Sequence, residues 1–374
     1  QRRPALRAAF FFAAGMACAG LSIAQNEDLA ALSRQVRQLM AEGHFEEAIP
    51  ICERLVKAVP GNAGLLLNLG LAEEMAGDPA RAIPKLEEAL RLEPNNIPAL
   101  TSLANSELQA DQPKAAIAPL KKLLALQPAN HNARGMLAGA LLNLGDLDEA
   151  LTQYRKLTAD FPGDAKGWYG LGKTYEAQSA HLFDRLSRDG PQSPYVAALI
   201  AASRMRNQQF HSAFFFFKEA ERGLPSLRGI HSALAAIYRK AGHPDWAAVE
   251  EKKEDTLPMP DCAANASECY FVQNRYAEAA KAAGPGAGAA SLYWSIKAYD
   301  QLALEVFSRL SALPESVELH ALKAQIAHGH NQELEAVSEW RAALKLAPGN
   351  IRLENELTTS LFLARDYKTA IPMI

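Results

Sequence analysis

The sequence lacks the patterns that catalysis and nucleic-acid binding require. No serine, glycine or acidic pair stands in a nucleophile elbow, a Walker-type phosphate loop or a paired-carboxylate arrangement of suitable context. The formal net charge is −3 with both signs interspersed, so no basic face is expected to bind nucleic acid. The composition, rich in alanine and leucine, has little that favours β-strands. These absences argue against an enzyme and in favour of an all-α protein.

Residues 1–24 have the order of a secretory signal peptide. A start with three arginines precedes an apolar run over residues 8–21, and small residues stand before a cleavage position ahead of Gln25. The run is too short to span a membrane comfortably. We therefore expect export, to the periplasm or out of the cell. The alternative is a lipoprotein whose Cys18 is lipidated and holds the protein at a membrane.

The rest of the chain has a period of 34 residues. Prolines recur at this spacing as Pro60, Pro94, Pro128 and Pro162, and small residues recur as Ala48, Ala82, Ala116 and Ala150. Such a period is typical of arrays of helix pairs. A single pair cannot bury both of its apolar faces, so each pair packs on the next. The alanines fit positions where two helices approach closely, because cores tolerate extra volume poorly.

The repeated unit resembles the tetratricopeptide repeat. Its pattern of a large residue, Leu-Gly, Tyr, Ala, an aromatic, Ala and Pro is matched by Leu66, Leu69, Gly70, Gly77, Ala82, Leu86, Ala89 and Pro94, and by Trp168, Leu171, Gly172 and Tyr175. The resemblance implies an all-α, right-handed superhelical solenoid of antiparallel helix pairs. An ordinary helical bundle is the alternative for residues 29–162.

The repeats predict an organisation into consecutive segments. Residues 25–164 contain four regular units, and residues 165–226 contain a long-helix unit followed by a repeat. Residues 227–290 contain two divergent helix pairs and a Gly-rich loop. A second long-helix unit with a repeat occupies residues 291–348, and an incomplete last repeat occupies residues 349–374. The two long-helix segments are internal copies, because Tyr175, Phe183 and Leu186 recur 124 residues later as Tyr299, Phe307 and Leu310. We expect the natural protein to continue after Ile374.

Several second helices contain a proline near their start. A proline inside a helix costs about 3 kcal/mol, but in the first turn its missing N–H has no intrahelical partner to lose. We therefore predict that Pro50, Pro84 and Pro119 lie in first turns. The corresponding helices would start near Phe45, Asp78 and Gln112.

Cys262 and Cys269 are candidates for a disulfide. Within one helix their Cα atoms would lie about 10.5 Å apart, too far for a bridge. However, Asn265 and Glu268 fit a capping box that would start the helix at Asn265, leaving Cys262 in a loop that can fold back. We predict a disulfide, which an oxidising compartment would permit. Two free, half-buried thiols are the alternative.

Two other groups of residues have simpler interpretations. His320, His328 and His330 lack the acid-flanked i, i+4 spacing of a helical zinc site, and we predict neither a metal nor a cofactor. The segment Phe210–Phe217 is apolar on every side, which is typical of a buried helix. Any part of it left exposed would be a docking patch.

The resemblance also implies where a partner binds, namely at the inward positions of the first helices. Carried over residue by residue, these positions are Thr101, Asn105, Leu108, Gln109, Asn132, Gly135, Gly139, Leu142, Asn143, Lys166, Tyr169, Lys173 and Glu176. Asn105 and Lys166 match the family's carboxylate clamp, but Met136 and Gly170 replace residues that the clamp needs. We therefore do not expect a C-terminal carboxylate as the ligand.

The function that this implies is a non-catalytic scaffold that holds a protein or peptide partner. The alternative is a repeat module of a larger enzyme or of a lipoprotein assembly factor, whose active part lies outside the given sequence.

Overall fold

The computed structural model describes residues 28–284 and 286–373. Within these residues every regular element is a helix, and consecutive helices pack in antiparallel pairs, which confirms the all-α prediction. The chain divides into two compact units, unit 1 up to Asp146 and unit 2 from Leu147. The expected signal segment, residues 1–24, lies outside the described residues. In the described part, no helix is both long enough and apolar enough to cross a membrane.

Unit 1 contains seven described helices. They are α1 (28–42), α2 (Phe45–Ala58), α3 (Ala63–Met75), α4 (Pro79–Leu92), α5 (Ile97–Gln109), α6 (Pro113–Leu126) and α7 (His131–Asn143). The first helices α3, α5 and α7 start at the same signal, an asparagine whose side chain accepts the N–H three residues on. These caps are Asn62, Asn96 and Asn130. Each follows the closing proline of the preceding pair by two residues, so the period also sets where helices begin.

Close packing explains the small residues of unit 1. Ala48, Ala82 and Ala116 are fully buried, with 0% of their surface exposed. A Cβ atom added at Gly70 would lie 2.7 Å from Leu86 Cγ, closer than a carbon–carbon contact allows. Only glycine therefore fits at this position of the Leu-Gly pair, because any side chain would collide with Leu86.

The prediction for the helix prolines is wrong. The helices start where expected, but Pro50, Pro84 and Pro119 lie in the second turn, inside α2, α4 and α6. Each proline therefore deprives a carbonyl four residues earlier of its hydrogen bond. These carbonyls belong to Glu46, Ala80 and Ala115, which are all exposed. Water can reach them, and this reduces the cost of the missing bond.

Unit 2 contains the remaining helices. They are α8 (Leu147–Asp160), α9 (Ala165–Asp189), α10 (Pro194–Arg206), α11 (Phe210–Gly223), α12 (Ile230–Lys240), α13 (Pro244–Asp255), α14 (Ala266–Val272), α15 (Tyr276–Lys281), α16 (Ala289–Ser311), α17 (Val317–Gly329), α18 (Glu333–Leu346), α19 (Ile351–Leu363) and α20 (Tyr367–Ala370), followed by a short 3-10 helix at Ile371–Met373. The two long helices are confirmed, with 25 residues in α9 and 23 in α16.

The two internal copies in unit 2 pack against each other through their long helices. Tyr175 and its counterpart Tyr299 are in contact, with ring centroids 6.1 Å apart. A Cβ atom at Gly172 would meet the ring of Phe307. Of these two contacts, the one made by the earlier residue of α9 thus involves the later residue of α16, so the two helices run antiparallel. In addition, α10 contacts α16 while its counterpart α17 contacts α9. The copies are thus related by an approximate internal two-fold axis, as in a symmetric dimer interface.

Candidate partner-binding surfaces

Nine of the predicted partner-binding residues lie in unit 1, on α5 and α7. Three carboxamides among them, Gln109, Asn132 and Asn143, are exposed, whereas Leu108 and Leu142 are half-buried. The half-buried positions also include Thr101, Asn105, Gly135 and Gly139. None of the nine carries a charge. Together they combine exposed hydrogen-bonding groups with apolar side chains that are partly accessible.

Glu74 is a residue of this surface that the sequence analysis missed. It precedes Leu108 by 34 residues and Leu142 by 68, so the three occupy the same position in successive first helices. Its side chain is buried, and its Oε2 atom has no hydrogen-bond partner among the described residues. Burial raises the pKa of Glu74, and hydrogen bonding with the side chains of Ser102 and Asn105 opposes this effect. Asn105 therefore faces a buried carboxyl group of the chain itself. The 34-residue register was the signal that could have identified Glu74.

Four further predicted residues lie on α9 in unit 2. Tyr169 is half-buried against the core around Ala321 and Ala324, and its hydroxyl oxygen accepts a hydrogen bond of 3.0 Å from Gln325 Nε2. Lys173 and Glu176 form an ion pair with each other at 2.5 Å. Lys166 is exposed. At Tyr169, α17 of the second internal copy thus occupies the position expected for a partner. Whether these four residues bind a partner stays a prediction.

The apolar segment Phe210–Phe217 is only partly buried. Phe217 lies in the core, whereas 61% of the Phe215 surface is exposed. Across α11, α12 and α13 a row of aromatic rings continues the surface: Phe214 lies 5.6 Å from Tyr238, which lies 5.5 Å from Trp246. His243 stacks on the Trp246 ring at 4.1 Å. Intramolecular ring contacts therefore account for much of this aromatic surface.

Cys262 and Cys269 form a disulfide in unit 2, with Cα atoms 5.4 Å apart. The geometry follows from the predicted cap. Asn265 is the N-cap of α14 and its side chain accepts from Glu268 N, so Cys262 precedes the helix and the chain folds back. The disulfide ties the end of the loop that precedes α14 to the first turn of that helix.

The three histidines lie in separate contacts. His320 Nδ1 is 2.6 Å from Glu339, and His328 Nδ1 is 2.7 Å from Glu333. His330 contacts the carbonyl oxygen of Arg206 at 3.1 Å. The three residues are therefore not brought together at one point.

A different histidine, which the sequence analysis did not single out, joins a buried network. Glu221, His231 and Glu250 place ligand-type atoms within 4.8 Å of one another. However, Lys253 Nζ lies 2.9 Å from Glu250 Oε1, and Lys218 pairs with Glu221. Burial would raise the pKa of Glu250, but hydrogen bonds from Lys253 and His231 outweigh it and hold that pKa below its usual range. Two lysines thus balance the two carboxylates, and the network ties α11, α12 and α13 together.

The packing of α9, α10 and α16 leaves a cavity of about 600 Å³. Phe183, Ile296 and Phe307 form part of its apolar wall. On its polar side, Asp300 accepts hydrogen bonds from Ser179 Oγ at 2.6 Å and from Arg206 Nη1 at 2.9 Å. These contacts hold the two internal copies together at the cavity.

Family profiles match the first part of the chain. Two profiles described as tetratricopeptide repeat match the chain, one over residues 34–97 and the other over 75–124 and 107–173. A crystal structure of MamA is 23% identical, covers 54% of this chain and 94% of that one, and has a TM-score of 0.39. A tetratricopeptide repeat protein from Parabacteroides merdae ATCC 43184 is 12% identical over 90% of this chain and 99% of that one, with a TM-score of 0.42. No curated protein matches the chain.

Proposed function

Since the chain is a tetratricopeptide-repeat protein, we propose that it is a non-catalytic scaffold that binds an extended segment of a partner protein along α5 and α7. Stacked repeats generally serve as interaction modules, because their first helices form an extended binding surface. The observation that carries the proposal is the set of nine uncharged residues on α5 and α7, which combines exposed carboxamides with half-buried leucines.

The chemistry of this surface suits a peptide backbone. An extended segment presents N–H and C=O groups that no neighbouring strand satisfies. A carboxamide offers both a donor and an acceptor, so Gln109, Asn132 and Asn143 can pair with a backbone whatever its sequence. Gly135 and Gly139 lack side chains and allow close approach, while Leu108 and Leu142 supply apolar contact. Without a charge among these residues, the surface favours a segment with few charges.

A peptide-selection experiment tests the proposal. Peptides selected from a random library on the purified protein would be measured by calorimetry against wild type and against the combined variant Gln109→Ala, Asn132→Ala and Asn143→Ala. Each net hydrogen bond contributes about 0.5–1.5 kcal/mol, so we expect affinity to fall more than about tenfold. Both proteins should melt at similar temperatures, because the replaced side chains are exposed.

A matched variant controls for general surface effects. Glu46→Ala, Lys57→Ala and Lys122→Ala replace three exposed residues on the second helices α2 and α6, and the affinity should stay unchanged. If this outer variant weakened binding and the inner variant did not, the proposed surface would be wrong.

We also propose that the protein acts outside the cytoplasm. The support is the signal-like order of residues 1–24, together with the Cys262–Cys269 disulfide, a bond that persists in oxidising compartments. Mass spectrometry of the mature N-terminus should give Gln25 as the first residue. A lipid-modified Cys18 would favour the anchored form instead, and an uncleaved cytosolic chain would contradict both.

A further inference from the structure

Unit 1 contains the same pair of acidic residues twice, one repeat apart. Glu53 on α2 and Glu73 on α3 form the first pair. Glu87 on α4 and Glu107 on α5 lie 34 residues further on and form the second. In both pairs the first residue is exposed and the second is buried.

A guanidinium group joins the first pair. Arg81 Nη2 lies 3.0 Å from Glu53 Oε1 and 3.0 Å from Glu73 Oε1. The side chain of Arg81 is 52% exposed, whereas that of Glu73 is only 1% exposed. An arginine at the surface therefore reaches a buried carboxylate in this repeat. The positive charge of Lys85 also acts on Glu73.

The second pair lacks both cations within its own repeat. The residues 34 positions after Arg81 and Lys85 are Ala115 and Pro119. Glu107 is only 5% exposed, and its Oε2 atom is buried with no hydrogen-bond partner among the described residues. Ala115 is exposed, so a methyl group stands where the preceding repeat has an arginine side chain.

The electrostatics reflect this difference. Burial and, as the smaller cause, the negative charge of Glu87 together raise the pKa of Glu107 to about 7. An ionised carboxylate without a partner is costly in a buried position. A cation placed between Glu87 and Glu107 would lower the pKa of Glu107, as the charge of Arg81 partly offsets the effect of burial on Glu73 in the preceding repeat.

We propose that Glu87 and Glu107 form a binding site for an arginine side chain of a partner protein, whose guanidinium takes the place that Arg81 has between Glu53 and Glu73. The guanidinium is the cation that this chain itself uses in the equivalent place. Its planar fork can donate to two carboxylates at once, which a lysine ammonium does less specifically. The site lies on α4 and α5 beside Ala115, and it uses none of the residues proposed above to bind a peptide backbone.

The test uses N-acetyl-arginine amide as the probe and follows the carboxyl carbon of Glu107 by NMR as the pH is changed. We expect the probe to lower the titration midpoint of Glu107. N-acetyl-citrulline amide has the same shape without the charge and should leave the midpoint unchanged. In Ala115→Arg the midpoint should already be lower than in wild type and should not respond to the probe, because the introduced side chain occupies the site.

The outcomes separate this site from the peptide surface. The probe should still lower the Glu107 midpoint in the variant with Gln109, Asn132 and Asn143 replaced, and its effect on that midpoint should be weaker in Glu87→Gln. An equal response to the arginine and citrulline probes would overturn the proposal, as would no response to either. An N-acetyl-lysine amide that lowers the midpoint as strongly as the arginine probe would overturn the assignment to arginine.

Discussion

Replacing Glu107 by glutamine should make the protein more stable at alkaline pH and leave its stability almost unchanged at acid pH. The raised pKa means that folded Glu107 still holds its proton at a pH where the unfolded chain has lost it. Because the folded state then binds more protons than the unfolded state, the free energy of unfolding decreases as the pH rises. The decrease spans the interval from the ordinary pKa of 4.5 to about 7. Glutamine has a similar shape but cannot ionise, so the variant should lack this decrease.

The size of the effect follows from the same interval. One pKa unit corresponds to about 1.4 kcal/mol, so a pKa raised from 4.5 to about 7 corresponds to about 3 kcal/mol as an upper limit. Solvent near the exposed Glu87 screens part of this interaction. We therefore expect Glu107→Gln to stabilise unit 1 by about 1–2 kcal/mol at pH 8 and by close to zero at pH 5.

Hydrogen exchange measured by mass spectrometry is the suitable assay. Tryptophan fluorescence would miss unit 1, because all four tryptophans of the chain, Trp168, Trp246, Trp294 and Trp340, lie in unit 2. Peptides from α5 and α6 report the local free energy of opening, once the intrinsic exchange rate at each pH is taken into account. Wild type and variant would be compared between pH 5 and pH 8.

The exposed neighbour provides the control. Glu87→Gln removes one negative charge near Glu107 but leaves the buried carboxyl in place, so it should reproduce only part of the gain at pH 8. A difference between wild type and Glu107→Gln that stays constant from pH 5 to pH 8 would refute the argument. So would a variant that is less stable at pH 8.

Three further changes test the packing. Ala116→Leu adds volume at a fully buried helix crossing and should destabilise the protein by about 1–3 kcal/mol. A melting temperature that stays at the wild-type value in Ala116→Leu or in Ala150→Leu would contradict the 34-residue register. Asp300→Ala removes the acceptor of Ser179 and Arg206 and should cost about 1–3 kcal/mol in urea unfolding followed by tryptophan fluorescence, with Asp300→Asn costing less; equal stability would show that the contact between α9 and α16 does not depend on it. Cys262→Ser opens the disulfide and should cost about 2 kcal/mol; a reducing agent should lower the melting temperature of wild type but not of this variant.

The regular part of the fold is predictable because its determinants are local. Asn62, Asn96 and Asn130 start helices through bonds that span three residues. Ala82 and Gly70 meet their neighbours within one helix pair. Since each repeat buries its surface mainly on the next one, a period in the sequence is a period in the packing. The cap at Asn265 is local in the same way, and it places Cys262 within reach of Cys269.

The position of the prolines within their helices was harder to predict, although it is also local. The first and second turns of a helix are only a few residues apart. A proline in the second turn is tolerated when the carbonyl group four residues earlier, which loses its hydrogen bond, is exposed to water. The sequence around Pro50 and Pro84 does not show by itself which carbonyl will be exposed. That depends on which side of the helix the neighbouring pair covers.

The candidate sites depend on contacts between helices distant in the chain, which the repeat period does not predict. The sequence shows that Tyr175 and Tyr299 are counterparts, but only the tertiary structure shows that they touch and that α9 packs on α16. The same packing places Gln325 on Tyr169, at a position where the repeat pattern alone leads one to expect a partner. The identity of Glu107 is written in the sequence, whereas its burial without a cation results from how α4, α5 and α6 surround it. The periodicity of the sequence shows which face of its own helix a residue occupies. Which other helix covers that face depends on the packing of helices that are distant in the chain, and only the tertiary structure shows it.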